Sequence, residues 1–166
     1  MKFYINQNET ETRGEAFTKL CNQKSVTQTI FTKQVCAEGL PLLNRSLAFT
    51  IEQNLANIPI IIIAGTRSDY LMRCVYNLIR TPGVLLDNVY IVVDGFYQDV
   101  LLIAQVFGVR AVFFPSLRDQ LPGQPWDTVI KVHVSRVWSF IFLNTSVDNG
   151  IILEEAIIFI ITNSNI

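Results

Sequence analysis

Charged and titratable residues lie at or near the ends of several predicted elements, where side chains can reach a ligand: Arg67, Asp94, His133 and the pair Glu154-Glu155. An arginine that follows a strand can bind a phosphate or a nucleotide. An exposed helix start or an ion pair explains it equally well. Asp94 can accept a hydrogen bond from a base N–H or a ribose hydroxyl, but Asp-Gly is also a common turn pair. The chemistry that these two residue types favour is recognition of a nucleotide.

The carboxylate pair Glu154-Glu155 directly follows a short apolar strand. Two adjacent carboxylates repel each other unless a cation, hydrogen bonds or water relieve the repulsion. Hard oxygen ligands suit Mg²⁺ or Mn²⁺, and these ions often bridge to a substrate diphosphate. The alternative is a strand end with two solvated acids. His133 is the only histidine, and in an apolar helix such a residue is more often a partly buried histidine than a ligand contact.

The elements that must position Arg67 and Asp94 form a strand–helix–strand stretch from Ile58 to Gly95. Both strands, 58–64 and 89–93, are apolar almost throughout. Strands of this kind are buried on both faces, which indicates a parallel sheet covered by helices. Ligands bind at the carboxyl ends of such strands, so the sequence predicts both residues at a ligand-binding edge.

The remaining pattern continues the alternation of strands and helices. It predicts helices over 69–80, 97–107 and 128–143, a strand over 109–114, a loop over 116–127 and a strand from Ile151 to Leu153. Thr66 or Ser68 is the expected N-cap of the first of these helices. The order β-α-β-α-β-α-β predicts an α/β fold with a Rossmann-like, mostly parallel sheet and flanking helices.

Size and composition restrict the function further. The 166 residues suffice for one domain with a core, and the net charge of −1 gives no support to nucleic-acid binding. The apolar runs are far too short to cross a bilayer, and no targeting segment is apparent. The sequence lacks the common glycine-rich nucleotide-binding motifs, the nucleophile-elbow motif and Cys-x-x-Cys. A zinc site is disfavoured because there is one histidine and the cysteines are scattered.

The first 57 residues are polar and weakly patterned. We expect a stem-like or linker-like lead-in over 1–57, with one short helix around Glu15–Asn22. Cys21 and Cys36 either form a disulfide in an oxidising compartment or remain two thiols, and the sequence leaves both possibilities open. Cys74 is expected to be a small core residue.

The chain resembles, in order, the start of the catalytic domain of the Golgi N-acetylglucosaminyltransferases that use UDP-GlcNAc. The segments that carry the resemblance are Ile58–Leu71, Val92–Tyr97, Val106–Arg110 and Ile151–Glu155. The resemblance implies residues 58–155 to be the first part of a GT-A catalytic domain. It also implies transfer of GlcNAc from UDP-GlcNAc to a mannose of a glycoprotein, with O-mannosyl glycans favoured over N-glycans. Mn²⁺ would be the cofactor, and the protein would act on the lumenal side of the Golgi membrane.

The resemblance also assigns roles to single residues. Arg67 and Asp94 would hold the nucleotide, with Asp94 near the uracil. His133 precedes Glu154 by the spacing that the family uses for a nucleotide-contacting histidine. Glu155 would contact the sugar nucleotide. The third position of the acidic triplet, an aspartate that binds the metal in the family, is Ala156, which offers no side-chain oxygen.

From Ala156 onward the similarity stops, so residues 156–166 form a tail unlike the family. The sequence lacks the family's acceptor-binding half, its downstream catalytic aspartate and its membrane anchor. We therefore expect a fragment of a transferase with little or no activity. The alternative is a noncatalytic Rossmann-like fragment that binds a nucleotide or a partner protein. Binding of UDP-GlcNAc that strengthens with Mn²⁺ would distinguish the two.

Overall fold

The computed structural model of the chain describes residues 4–5, 11–41, 58–144, 149–154 and 157–162. Its strands are β1 (Tyr4–Ile5), β2 (Ile60–Ala64), β3 (Val89–Asp94), β4 (Arg110–Phe114), β5 (Asn149–Glu154) and β6 (Ile157–Thr162). Its helices are α1 (Arg13–Cys21), α2 (Ile30–Glu38), α3 (Ser68–Leu78), α4 (Gln98–Phe107), α5 (Leu117–Gln120) and α6 (Trp126–Asn144).

The strands form one sheet in the order β1-β4-β3-β2-β5-β6. The four central strands are parallel, and β1 and β6 pair antiparallel at the two edges. The register places Ile62 between Ile91 and Leu153. The predicted α/β fold with a mostly parallel sheet and flanking helices is therefore confirmed.

Side chains of the central strands alternate between two cores, as the two-residue period of a strand requires. Ile60 and Ile62 contribute to the core beneath α1, α3 and α4, whereas Ile61 contributes to the core beneath α6. Both cores are apolar because both faces of the sheet are covered by helices. This explains why β2 is a continuous apolar run and not an alternation of apolar and polar residues.

The order of the parallel strands creates a reversal at β2. The chain proceeds from β2 to β3 and then to β4 on one side, and α6 then leads to β5 on the other side of β2. In open α/β sheets a crevice forms outside the carboxyl ends of the strands at such a switch point, and ligands bind there. Such a crevice would lie between the loop after β2 and the end of β5.

The N-terminal part differs from the expected lead-in. Residues 11–41 contain two helices, of which α1 packs against α4 and α2 against α3. The apolar residues are few, but they share one face of α1, so Ala16 and Leu20 are fully buried in the main core. This segment therefore belongs to the α/β fold, while residues 42–57 lie outside the described part.

A disulfide joins Cys21 at the end of α1 to Cys36 in α2, with 5.7 Å between the two Cα atoms. The structure thus selects one of the two possibilities that the sequence left open. Arg13 connects α1 to α4 and to the segment after α2, because its guanidinium donates to the backbone carbonyls of Val106 and Pro41. Cys74 packs against the main core, as expected.

Most predicted helices and strands are present within a few residues of the expected limits, with three differences. The segment 116–127, expected to be a loop, contains the single turn α5, and α6 begins earlier than expected, at Trp126. The N-cap of α3 is Arg67 and not Thr66 or Ser68. The tail contributes β6, which extends the sheet beside β5. Among the described residues, no helix combines the length and apolarity that a membrane span requires.

Candidate functional site

A cleft of about 790 Å³ opens at the carboxyl ends of the parallel strands, between the sheet and α6. Its walls come from the loop after β2, the end of β3, the segment after β4 and one face of α6. The lining residues that carry polar or aromatic groups are Thr66, Arg67, Asp94, Tyr97, Ser116, Arg118, Trp126, His133 and Trp138. The cleft thus lies at the switch point that the strand order creates.

Three of the predicted site residues, Arg67, Asp94 and His133, line this one cleft. They come from three different elements, so their meeting is a result of the fold. The backbone of Glu154 ends β5 opposite Ile63, at the same edge of the sheet. Glu155, predicted to contact the nucleotide sugar, lies outside the described residues, as does Ala156.

Arg67 occupies a position that does not favour α3. It is the N-cap residue, and its side chain makes no capping hydrogen bond. Ser, Thr, Asp or Asn would stabilise this position by about 1 kcal/mol. A cation near a helix N-terminus also opposes the helix dipole. The guanidinium is exposed beside the cleft, where it can reach a ligand, and its carbon lies 5.2 Å from the ring centre of Tyr70.

The two carboxylate oxygens of Asp94 differ: one accepts a hydrogen bond within the fold, and the other is available to a ligand. Its Oδ1 accepts a hydrogen bond from the backbone N–H of Leu117 at 2.9 Å, which fixes the start of α5. Gly95 follows with a φ of 97°, a left-handed conformation that favours glycine. The turn role that Asp-Gly suggested is therefore present. The second oxygen, Oδ2, accepts no hydrogen bond from the described residues and can receive one from a ligand.

His133 is held as a neutral imidazole. Burial lowers its pKa below the ordinary value of 6.5; the negative charge of Asp94 partly opposes this shift, and the positive charge of Arg136 adds to it. The ring of Phe114 meets the imidazole edge to face, with 6.2 Å between the ring centres. Within the described residues, the buried Nδ1 has no hydrogen-bond partner. Such an atom costs free energy while it has no partner, so the described residues do not fully satisfy this imidazole.

Sequence reasoning missed the outer rim of the cleft, formed by Arg118, Trp126 and Ile130. The guanidinium of Arg118 lies 4.7 Å from the ring centre of Trp126. Trp126 is 58% exposed and Ile130 is 45% exposed, which is unusual for large apolar side chains. A usable signal existed: Trp126, Ile130 and His133 repeat at helical spacing. It was missed because the helix was expected to begin after Trp126.

The described side chains that line the cleft include two cations, Arg67 and Arg118, and one carboxylate, Asp94. Among the described residues the charge therefore suits an anion. No group of three His, Cys, Asp or Glu side chains that could hold a metal occurs in the part of the chain that the structure describes. The described residues therefore do not fit a Mn²⁺ site by themselves.

The fold and the cleft define the class: an α/β protein with a mostly parallel sheet and a cleft at its switch point. No protein-family model matches the chain. The more specific assignment therefore depends on the site residues themselves.

Proposed function

We propose that this chain binds the nucleotide sugar UDP-GlcNAc in the cleft and represents the donor-binding half of a GlcNAc transferase. The acceptor would be a mannose of a glycoprotein, with O-mannosyl glycans favoured. The observation that carries the proposal is that Arg67, Asp94 and His133 line one cleft at the switch point of a parallel sheet. These are the residues to which the resemblance assigns nucleotide binding.

The chemistry of the cleft supports a nucleotide sugar. Its volume of about 790 Å³ lies within the usual range of small-molecule sites. The guanidinium groups of Arg67 and Arg118 suit a diphosphate. The open Oδ2 of Asp94 can accept from the N–H of uracil, and the ring of His133 forms part of the wall of the cleft.

The same residues support binding more than transfer. Transfer requires that an acceptor hydroxyl be positioned for attack and that a base accept its proton. Among the described lining residues, Asp94 is the one carboxylate, and its Oδ1 already accepts a hydrogen bond from the backbone N–H of Leu117. We therefore assign donor binding to the described residues and expect them to give little or no transfer by themselves.

Mn²⁺ remains part of the proposal only through the resemblance. The described residues do not supply its ligands, and the position of the family's metal-binding aspartate is Ala156. When bound, the ion would offset charge on the leaving diphosphate.

The Cys21–Cys36 disulfide supports the proposed location on the lumenal side of the Golgi membrane, because disulfides persist mainly in the secretory pathway.

The alternative is a noncatalytic Rossmann-like fragment that binds a nucleotide or a partner protein. The exposed Trp126 and Ile130 at the rim favour it, because exposed apolar residues can also contact a protein.

Calorimetric titration of the chain with UDP-GlcNAc tests the proposal, with UDP, UMP and GDP-mannose as comparison ligands. We expect UDP-GlcNAc and UDP to bind at least about tenfold more tightly than GDP-mannose, which corresponds to about 1.4 kcal/mol. Arg67→Ala should weaken UDP binding by about tenfold, because it removes a charge-assisted contact.

Arg73→Ala is the matched control, since Arg73 lies on the same helix and stacks on Phe31 away from the cleft. Equal affinity for UDP and GDP-mannose, or no binding of either, would refute the proposal. Repeating the titration with Mn²⁺ separates the two candidates: stronger binding supports a transferase, and unchanged binding supports the noncatalytic alternative.

A further inference from the structure

We propose that Asp99 is a positioning residue for the cleft, which sets the placement of Arg67 and Tyr97 and connects both to the disulfide-closed segment between α1 and α2. The inference rests on the proposed function in so far as the cleft binds a nucleotide. Asp99 itself does not line the cleft.

One carboxylate oxygen of Asp99 joins two separate parts of the chain. Its Oδ2 accepts a hydrogen bond from Ser68 Oγ at 3.0 Å and another from Ser25 Oγ. Ser68 is only 4% exposed, so its hydroxyl is removed from water and depends on this acceptor. Hydrogen bonds to a charged acceptor are stronger than neutral ones.

These contacts lie directly behind two residues of the cleft. Ser68 immediately follows Arg67, the N-cap of α3, and Asp99 lies two residues after Tyr97, the N-cap of α4. Neither N-cap residue makes a side-chain capping hydrogen bond. The Ser68–Asp99 bond therefore holds the two helix starts together, and it fixes where the helices present Arg67 and Tyr97 to the cleft.

Ser25 extends the connection to the N-terminal helices. It lies in the segment between α1 and α2 that the Cys21–Cys36 disulfide closes, and its neighbour Val26 is fully buried in the main core. Ser25 is thus held on both sides by covalent closure and packing. The hydrogen bond from Ser25 fixes the carboxylate of Asp99, and this carboxylate in turn fixes Ser68 at the start of α3. A segment that reads as a polar lead-in in the sequence consequently supports the cleft from behind.

A pair of substitutions distinguishes positioning from general stabilisation. Asp99→Asn keeps an oxygen that can accept from both hydroxyls, whereas Asp99→Ala removes it. We expect Asp99→Ala to weaken UDP binding by about five- to tenfold, and Asp99→Asn to recover most of the affinity. In an Arg67→Ala background, Asp99→Ala should cost less affinity than it does in the wild-type chain, because one of the two residues that it positions is already gone. Ser25→Ala is a milder variant that should reproduce part of the loss.

Hydrogen exchange gives a readout that does not require a ligand. The backbone N–H of Leu71 donates to the carbonyl of Arg67 at 3.1 Å, so its exchange rate reports opening of the first turn of α3. We expect faster exchange there in Asp99→Ala and Ser25→Ala, but not in the control Ser139→Ala, whose hydroxyl bonds only within α6.

The two measurements also separate the inference from the proposed function. If the wild-type chain does not bind UDP, the proposed function fails, and the exchange experiment still tests the positioning role. Unchanged exchange at Leu71 in both Asp99→Ala and Ser25→Ala would overturn the inference. An equal loss of UDP affinity with and without Arg67 would overturn it as well, since Asp99 would then act independently of Arg67.

Discussion

The carboxylate of Asp94, at the end of β3, and the imidazole of His133, within α6, line the same cleft and influence each other electrostatically. Asp94 raises the pKa of His133, but burial lowers the pKa of the ring by more. The imidazole of His133 is therefore harder to protonate than that of a free histidine, although Asp94 lies near it.

The first prediction concerns the pKa of His133, which is the only histidine of the chain and so gives one set of imidazole signals in proton NMR. We expect the titration midpoint to lie below 6.5, because burial disfavours the charged ring. Asp94→Asn should lower the midpoint further, and Arg136→Gln should raise it. A midpoint at or above 6.5 in the folded chain would contradict the buried placement of His133.

A second prediction follows from linkage between this titration and folding. The pKa of His133 is lower in the folded chain than in the unfolded chain, so the unfolded chain binds the proton more readily. Stability should therefore fall as the pH drops through the window between the unfolded value and the lower folded value, and it should be fully present above that window. Urea unfolding at pH 5 and pH 7.5 measures the change. His133→Gln should show a smaller loss, since the carboxylates titrate equally in both proteins.

The third prediction separates the two roles of Asp94. Asp94→Ala leaves the backbone N–H of Leu117 without its acceptor and should destabilise the fold by about 1–2 kcal/mol in urea unfolding. Asp94→Asn keeps an acceptor oxygen for Leu117 and should lose clearly less stability, yet it should weaken UDP binding, because an NH₂ donor replaces the oxygen that accepts from the uracil N–H. Asn binding UDP as well as Asp would show that the carboxylate serves the fold alone.

The central sheet and half of the site were accessible from sequence for a clear physical reason. Continuous apolar runs at β2 and β3 require cover on both faces, and this fixes a parallel sheet whose carboxyl ends carry Arg67 and Asp94. The packing of α1 was not accessible, because its short apolar face (Ala16, Phe17 and Leu20) lies in a polar segment and does not specify α4 as its partner. Tertiary contacts of this kind leave almost no local pattern.

The rim and the support of the cleft were inaccessible for a related reason. Trp126 follows Pro125 in a segment with turn residues, so the sequence predicts a loop where α6 already begins. The bonds from Ser25 and Ser68 to Asp99 join residues far apart in the chain, and single hydroxyls carry no sequence signal.

The fourth prediction concerns the disulfide. Replacing Cys21 and Cys36 together by serine should reduce the free energy of unfolding by about 3 kcal/mol, the value expected for a loop of this length. Urea unfolding of the oxidised chain, the reduced chain and the double variant measures it, and the last two should agree. If reduction left the stability unchanged, the two sulfurs would not be bonded in the folded protein.

The last prediction uses the two tryptophans, Trp126 and Trp138, which both line the cleft and are the only ones in the chain. A ligand in the cleft should change the fluorescence of both. Trp126→Ala should weaken UDP binding by about fivefold through loss of stacking area, while stability changes by less than about 1 kcal/mol, because the ring is largely exposed.

Trp126→Phe keeps an aromatic face and serves as the matched variant, and it should retain most of the affinity. It also leaves Trp138 as the single tryptophan, so the response of the inner part of the cleft can be read separately with excitation that is selective for tryptophan. A fluorescence change on adding UDP that persists in Trp126→Phe places the nucleotide beside Trp138. A response lost entirely with Trp126 would confine the ligand to the rim and would contradict binding at Asp94 and His133.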